Sequence, residues 1–98
     1  MILVTGSLIA RPETQAELRQ LRQEHSARSR MEPGCLSHDV HLDCETPLRL
    51  VFLERWADLD PRRVHFGRSD ARGFMKAARA LAAGGSAVEI LETTPVSV

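Results

Sequence analysis

The chain has 98 residues, 43% of them hydrophobic, with 13 basic and 13 acidic side chains and a formal net charge of zero. That length fits one domain over residues 1–98, small enough that a dimer interface would add useful burial. The balanced charge excludes the basic stripe of a nucleic-acid binder, and no apolar run approaches the roughly 20 residues of a membrane span.

Residues 2–10 are a compact apolar run carrying Ile2, Leu3, Val4, Leu8 and Ile9, which predicts a strand buried on both faces. Gly6 weakens that strand and marks a close approach by another group. The opening Met1–Gly6 lacks the charged n-region of a signal peptide, so a cytoplasmic location is expected. Arg11-Pro12-Glu13 then opens a helix, with proline suited to the first turn and Glu13 complementing the helix dipole. The helix is expected to run to about Met31. Its apolar stripe is Leu18, Leu21 and, one turn on, His25, while Glu17, Arg19, Gln20, Arg22, Gln23 and Glu24 form the solvated face. Glu32-Pro33-Gly34 stops it.

Residues 35–43 alternate in polarity. Leu36, His38, Val40 and Leu42 fall on one face and Cys35, Ser37, Asp39, His41 and Asp43 on the other, the pattern of a strand with one apolar face. Glu45-Thr46-Pro47 is the turn into a second strand, Leu48 to Arg55, with Trp56 at its exit. Asp58 to about Phe66 reads as a short helix capped by Asp58 or Asp60, with Pro61 in its first turn. Ser69 is the expected cap of a further helix, Asp70 to Ala83, whose stripe is Phe74, Ala77, Ala78 and Leu81. Gly84-Gly85 ends it, and Ser86 to Thr94 is the last strand.

The order β-α-β-β-α-β predicts an α+β fold of the ferredoxin-like, split βαβ kind, a four-stranded antiparallel sheet with helices on one face. The other face carries enough apolar residues to need cover. Two sheets packed face to face, a dimeric α/β barrel, would supply it as a homodimer. Cys35 and Cys44 lie nine residues apart on one strand, on opposite faces, and so cannot bridge each other there. Neither belongs to a Cys-x-x-Cys pair, and no clustered ligand spacing is present, so no metal and no cofactor are expected.

Glu32, Gly34, Cys35, His38 and Val40 form the pattern E-x-G-C-x-x-H-x-V; Phe52, Glu54 and Trp56 form F-x-E-x-W; His65 lies near a helix end and Phe74 near the start of the next helix. In that order and spacing the chain resembles the antibiotic biosynthesis monooxygenase family along nearly its whole length. The resemblance implies a dimeric α+β barrel. It also implies a cofactor-independent monooxygenase acting with molecular oxygen on a small aromatic, quinol- or anthrone-like substrate. The family's haem-degrading members use an Asn in the first strand and a His late in the second main helix. Here the first strand has no Asn and residues 70–84 have no His, so haem degradation is not expected. The chain also departs from the cofactor-free oxygenases in having no Tyr and no Asn.

Such oxygenation needs a base, a site that holds the substrate anion, and exclusion of water. The candidate bases are His38, His65 and His25. His38 interrupts an apolar strand face and is either a hydrogen-bonded core histidine or a pocket base. His25 lies on the inner helix stripe, and His65 either joins the pocket or bonds backbone or Glu54. The candidate substrate-binding residues are Trp56, Phe74, Phe66 and Glu54. Trp56 either packs the hairpin exit or stacks on a planar substrate, Phe66 and Phe74 are core or cavity wall, and Glu54 pairs with a basic neighbour or acts in the site. Arg62, Arg63, Arg68, Arg72 and Lys76 are a solvated face or an anion-attracting mouth. The pocket is expected between helices and sheet, lined by His25, His38, Trp56, His65 and Phe74. Two other functions fit the same residues: a non-catalytic small-ligand-binding dimer, and an isomerase or lyase on a small carbonyl compound.

Overall fold

The computed structural model describes residues 1–84 and 86–98. Strand β1 (Ile2–Ile9) leads into helix α1 (Gln15–Ser29). The hairpin of β2 (Cys35–Leu42) and β3 (Arg49–Trp56) follows, then helices α2 (Leu59–Gly67) and α3 (Ser69–Leu81) and strand β4 (Ala87–Glu92). The strands form one antiparallel sheet in the order β2-β3-β1-β4, with helices on one face. This is the expected α+β, ferredoxin-like architecture, with two consecutive helices in the second crossover.

Strand β1 sits at the centre of the sheet, but apart from Ser7 its buried residues lie on one face. Ile2, Val4 and Leu8 are buried while Leu3 and Thr5 are half-buried and Ile9 is exposed, so one face remains open where both were expected to be covered. Gly6 is where it must be. A Cβ there would collide with the Phe52 ring and the Ala87 carbonyl, so the missing side chain lets both neighbouring strands close over β1.

Helix α1 begins two residues later than Pro12–Glu13 suggests. The Thr14 hydroxyl accepts from Arg11 N–H at 3.1 Å and donates to the Leu81 carbonyl at 2.6 Å, tying this turn to the end of α3. At the other end the helix stops at Ser29, two residues short of Met31. Gly34 adopts φ +82°, open to glycine and strained for other residues, and its carbonyl accepts from Ala57 N–H at 2.8 Å. The inward stripe of α1 is wider than Leu18-Leu21-His25: Arg22, Ser26 and Ser29 are also buried, which corrects the placement of Arg22 on the solvated face. Arg22 stands four residues after Leu18 and three before His25, which is the inner face of a helix whatever its charge.

The simple alternation of β2 fails at its start. Cys35 pairs with Trp56 and Ser37 with Arg55, leaving Leu36 as the extra residue of a bulge. Cys35 therefore packs with Ile2, Val4, Phe52 and Trp56 on the helix-covered face, rather than opposite His38 as expected, and Leu36 is exposed. Leu42, near the end of this edge strand, is exposed as well.

Asp58 caps α2 by accepting from Asp60 N–H at 3.0 Å. Ser69 is not a cap: it is the first residue of α3, the capping position is Arg68, and no side chain caps that end. The buried stripe of α3 is Ala71, Phe74 and Ala78, with Ala77 and Leu81 half-buried at its margin. The helix ends at Leu81 because Ala82 is extended and bridges to Ala10. Of the expected Gly84-Gly85 stop, Gly84 has φ +102° and Gly85 lies outside the described residues.

Candidate functional site

The helix–sheet layer holds two apolar clusters. One is Leu8, Ala10, Leu18, Leu50, Phe74 and Ala78; the other is Ile2, Val4, Phe52 and Trp56. Beside them lies a buried polar group that each element contributes to for a local reason. Successive turns of α1 carry Arg22, His25, Ser26 and Ser29 inward. The inward parity of the hairpin sets His38 directly across from Glu54. Helix α2 presents Arg62 and His65, three apart and so on one face.

The three histidines meet. Ring centroids are 5.3 Å apart for His25 and His38, 5.2 Å for His25 and His65, and 5.6 Å for His38 and His65. His25 also stacks flat on Phe74 at 3.9 Å with 5° between planes, and Trp56 lies 4.9 Å from His65. All five residues expected to meet are thus together on one side of the sheet.

Each polar group has a defined partner or a defined lack of one. His65 Nδ1 lies 2.9 Å from Glu32 Oε2. A carboxylate only accepts, so Nδ1 carries the hydrogen. His38 Nδ1 is 2.9 Å from the Ser26 hydroxyl, and its Nε2 is 3.5 Å from Glu54 Oε2. Glu54 also accepts from Trp56 Nε1–H at 2.9 Å and faces Arg62 Nε at 3.2 Å. The Arg62 contact has ionic distance without hydrogen-bond alignment, so it compensates charge and leaves the Nε–H unsatisfied. Arg22 differs. It is 6% exposed, its Nε has no hydrogen-bond partner, and no carboxylate lies within salt-bridge distance of it among the described residues. Its guanidinium carbon sits 4.0 Å from the centre of the Phe52 ring and 4.8 Å from that of Phe74.

These surroundings keep His25 and His38 neutral. Burial first, then His65, Arg22 and Arg28, push His25 from its ordinary 6.5 down to about 3. Burial first, then His25, His65, Arg22 and Arg62, bring His38 down to about 3. Burial also lowers Arg22 to about 10, with Glu54 opposing; it stays charged at neutral pH.

A cavity of about 260 Å³ opens between α1, α2, α3 and the β1–β4 side of the sheet. His25, His65, Phe74, Phe66 and Glu54 line it, together with Arg22 and Arg62. Phe66 is half exposed at the wall. His38 and Trp56 are fully buried and stand behind the wall rather than on it, so the expected lining is corrected at these two positions. Arg62 is buried against Glu54 instead of belonging to a solvated basic face, whereas Arg63 and Arg72 are exposed. The site residues that the sequence did not single out are Arg22 and Ser26, and Glu32 was read as a motif and helix-stop position without a role in the site. The 18-22-25-29 spacing on α1 was the available signal for Arg22.

The one group of potential metal ligands found among the described residues is His25, His38 and His65, whose ligand nitrogens all lie within 4.8 Å of one another. It comes from three separate elements, which is why no spacing in the sequence announced it. Two guanidiniums lie beside these rings, Glu54 is engaged by Arg62, and Glu32 sits on the far nitrogen of His65, which makes the group electrostatically poor for a dication. The same charges suit an anion.

Residues 1–77 match the family model named Antibiotic biosynthesis monooxygenase. No curated protein sequence matches significantly. Among solved structures, a candidate antibiotic biosynthesis monooxygenase from Deinococcus radiodurans superposes with a TM-score of 0.95 at 25% identity, covering 100% of this chain and 97% of that one. Rv0793 from Mycobacterium tuberculosis gives 0.89 at 23% identity, covering 99% and 98%. A candidate antibiotic biosynthesis monooxygenase from Nitrosomonas europaea gives 0.87 at 14% identity, covering 95% and 98%. The last two likenesses establish the fold alone. With the family model spanning 77 of the 98 residues, the chain belongs to the antibiotic biosynthesis monooxygenase family.

Proposed function

We propose that the protein is a cofactor-independent monooxygenase of a small aromatic, quinol- or anthrone-like substrate. The observation that carries this is the cavity of about 260 Å³, lined by aromatic and apolar side chains, onto which His25 and His65 face. Its volume is near the lower end of small-molecule sites, roughly 300–1,000 Å³.

His65 is the best-placed base. Glu32 holds the hydrogen on Nδ1, so Nε2 can accept a phenolic or benzylic proton, and the carboxylate stabilises the imidazolium that results. His25 is held flat against Phe74 beside it, and His38 supports both rings from behind. The substrate anion so formed is electron-rich and passes its electrons to molecular oxygen. For an anthrone-type methylene the balance is one CH2 group plus O2 giving one carbonyl plus water, with both electron pairs supplied by the substrate. Phe66 and Phe74 would flank the substrate ring. Trp56 and Glu54 would fix Arg62 on the wall and His38 behind it.

A symmetric homodimer completes the proposal. On the face without helices, Leu3, Ile9, Val51, Leu53 and Leu91 alternate with the buried positions; Ile9, Leu53 and Leu91 are 36–38% exposed. A second sheet packed there would remove that area from water. No helix is long and apolar enough to cross a membrane.

Oxygen uptake with a panel of quinols and anthrones tests the activity. Uptake that falls at least tenfold in His65→Gln is expected. No uptake with any member of the panel would favour a second function, a non-catalytic small-ligand-binding dimer. The feature favouring that function is the weak basicity of His25 and His38.

A further inference from the structure

We propose that the cavity takes a planar aromatic monoanion whose negative oxygens sit on the Arg22 guanidinium. This deepens the monooxygenase proposal and rests on it for the use of the cavity.

The charge count of the buried site is the first ground. Its groups are Arg22, Arg62, Glu54 and three histidines, with Glu32 and Arg68 at its edge; Glu32 lies 2.9 Å from His65 and 3.9 Å from Arg68, which matches its charge. Arg62 is matched by Glu54 at 3.2 Å, and Glu54 also accepts from Trp56 Nε1–H. His25 and His38 are neutral at physiological pH. One positive charge is left over, that of Arg22. An isolated buried cation is costly, and proteins hold one where a ligand will answer it. A single negative charge balances the site. A metal dication would raise the excess, and a dianion would overshoot it.

Shape is the second ground. The Arg22 guanidinium lies against Phe52 and Phe74, which gives it partial cation–π compensation and holds it in place. This nine-tenths-buried side chain lines the cavity, its Nε has no hydrogen-bond partner, and a guanidinium fork meets a carboxylate or an aromatic oxyanion edge-on. The same wall carries Phe66, Phe74 and the His25 ring stacked on Phe74, surfaces suited to a flat ring. His65 lies on this wall too, so a ring anchored on Arg22 is held within the same cavity as the base.

The anion has two sources: a carboxylate that the ligand carries in, or a phenolate made in the site when His65 takes the proton. Anaerobic calorimetric titration with 2-naphthoate, 2-naphthamide and 2-naphthol separates them without turnover. If the charge arrives with the ligand, naphthoate binds about ten- to hundred-fold tighter than naphthamide. If it is made in the site, bound 2-naphthol shows phenolate absorbance at neutral pH. Arg22→Met abolishes whichever signal is seen, and Arg22→Lys keeps part of it because charge remains while the fork is lost. Naphthoate binding no tighter than naphthamide, with 2-naphthol bound neutral or none of the three bound, overturns the proposal. The wild-type comparison decides this even if Arg22→Met fails to fold. Oxygen uptake is scored separately, so the anion site can fail while the monooxygenase proposal stands, and the reverse.

Discussion

Along one face of one sheet, the two ends of the molecule are built from the same elements and to opposite specifications. On β3 the inward residues run Leu50, Phe52, Glu54, Trp56; on α1 they run Leu18, Arg22, His25, Ser29. At the first end Leu8, Leu18, Leu50, Phe74 and Ala78 close on each other as an ordinary core. At the second, three histidines, a glutamate and two arginines are taken out of water, and one of the arginines, Arg22, has no carboxylate within salt-bridge distance among the described residues. The first end holds the fold together by volume. The second is stabilising only where each polar group is answered, and Arg22 is not.

Substitutions at the two ends should therefore move stability in different ways. The largest expected effect is at the apolar end. Leu18 is fully buried, so Leu18→Ala should cost about 2–5 kcal/mol in urea unfolding, the transfer term plus a cavity. A loss under 1 kcal/mol would mean that this end is looser than its burial indicates.

Acid should act at the polar end. His25 and His38 have folded pKa values depressed from 6.5 to about 3, so between those values the unfolded chain binds more protons. Their contribution is fully present above about pH 6.5 and is lost as pH falls toward 3. The slope approaches about 1.4 kcal/mol per pH unit for each histidine. Thermal melts from pH 7.5 to 4.5 should show the midpoint falling steadily below pH 6.5. A flat profile would mean that the rings are more hydrated or better paired than the geometry has them.

Arg22→Met should have the smallest effect and the opposite sign. It removes an uncompensated buried charge while keeping an unbranched apolar stem between Phe52 and Phe74, so a gain of about 1 kcal/mol is expected. A loss of that size would show that Arg22 has a structural partner in solution.

The apolar end was far more legible in the sequence than the polar one. The β-α-β-β-α-β order follows from alternation in residues 35–43, Gly34 and Gly84 near helix ends, and the turn at Glu45-Thr46-Pro47. These are local signals, and the fold obeys them. His25, His38 and Phe74 were legible because helix and strand periodicity point them inward, and Trp56 and His65 because they bracket the connection after β3. The Leu36 bulge was not, since an extra residue in a ladder is defined by the partner strand, here through the Cys35–Trp56 and Ser37–Arg55 pairs. Arg22 was misplaced because its charge was weighed above its position on the stripe. The His65–Glu32 contact joins residues 33 apart and depends on where α2 packs, which no local pattern encodes. That His38 and Trp56 stand behind the wall reflects the His25 and His65 rings, which line the cavity and pack against them, a matter of packing depth.

The central claim is that the polar end is a ligand site rather than an awkward piece of core. A crystal structure of the protein with 2-naphthoate tests it most directly. The account predicts the ring in the cavity against Phe66 and Phe74, with carboxylate oxygens about 2.7–2.9 Å from the Arg22 guanidinium nitrogens. A cavity that stays empty at saturating ligand, or a ligand bound on the open face of the sheet with Arg22 untouched, would contradict it.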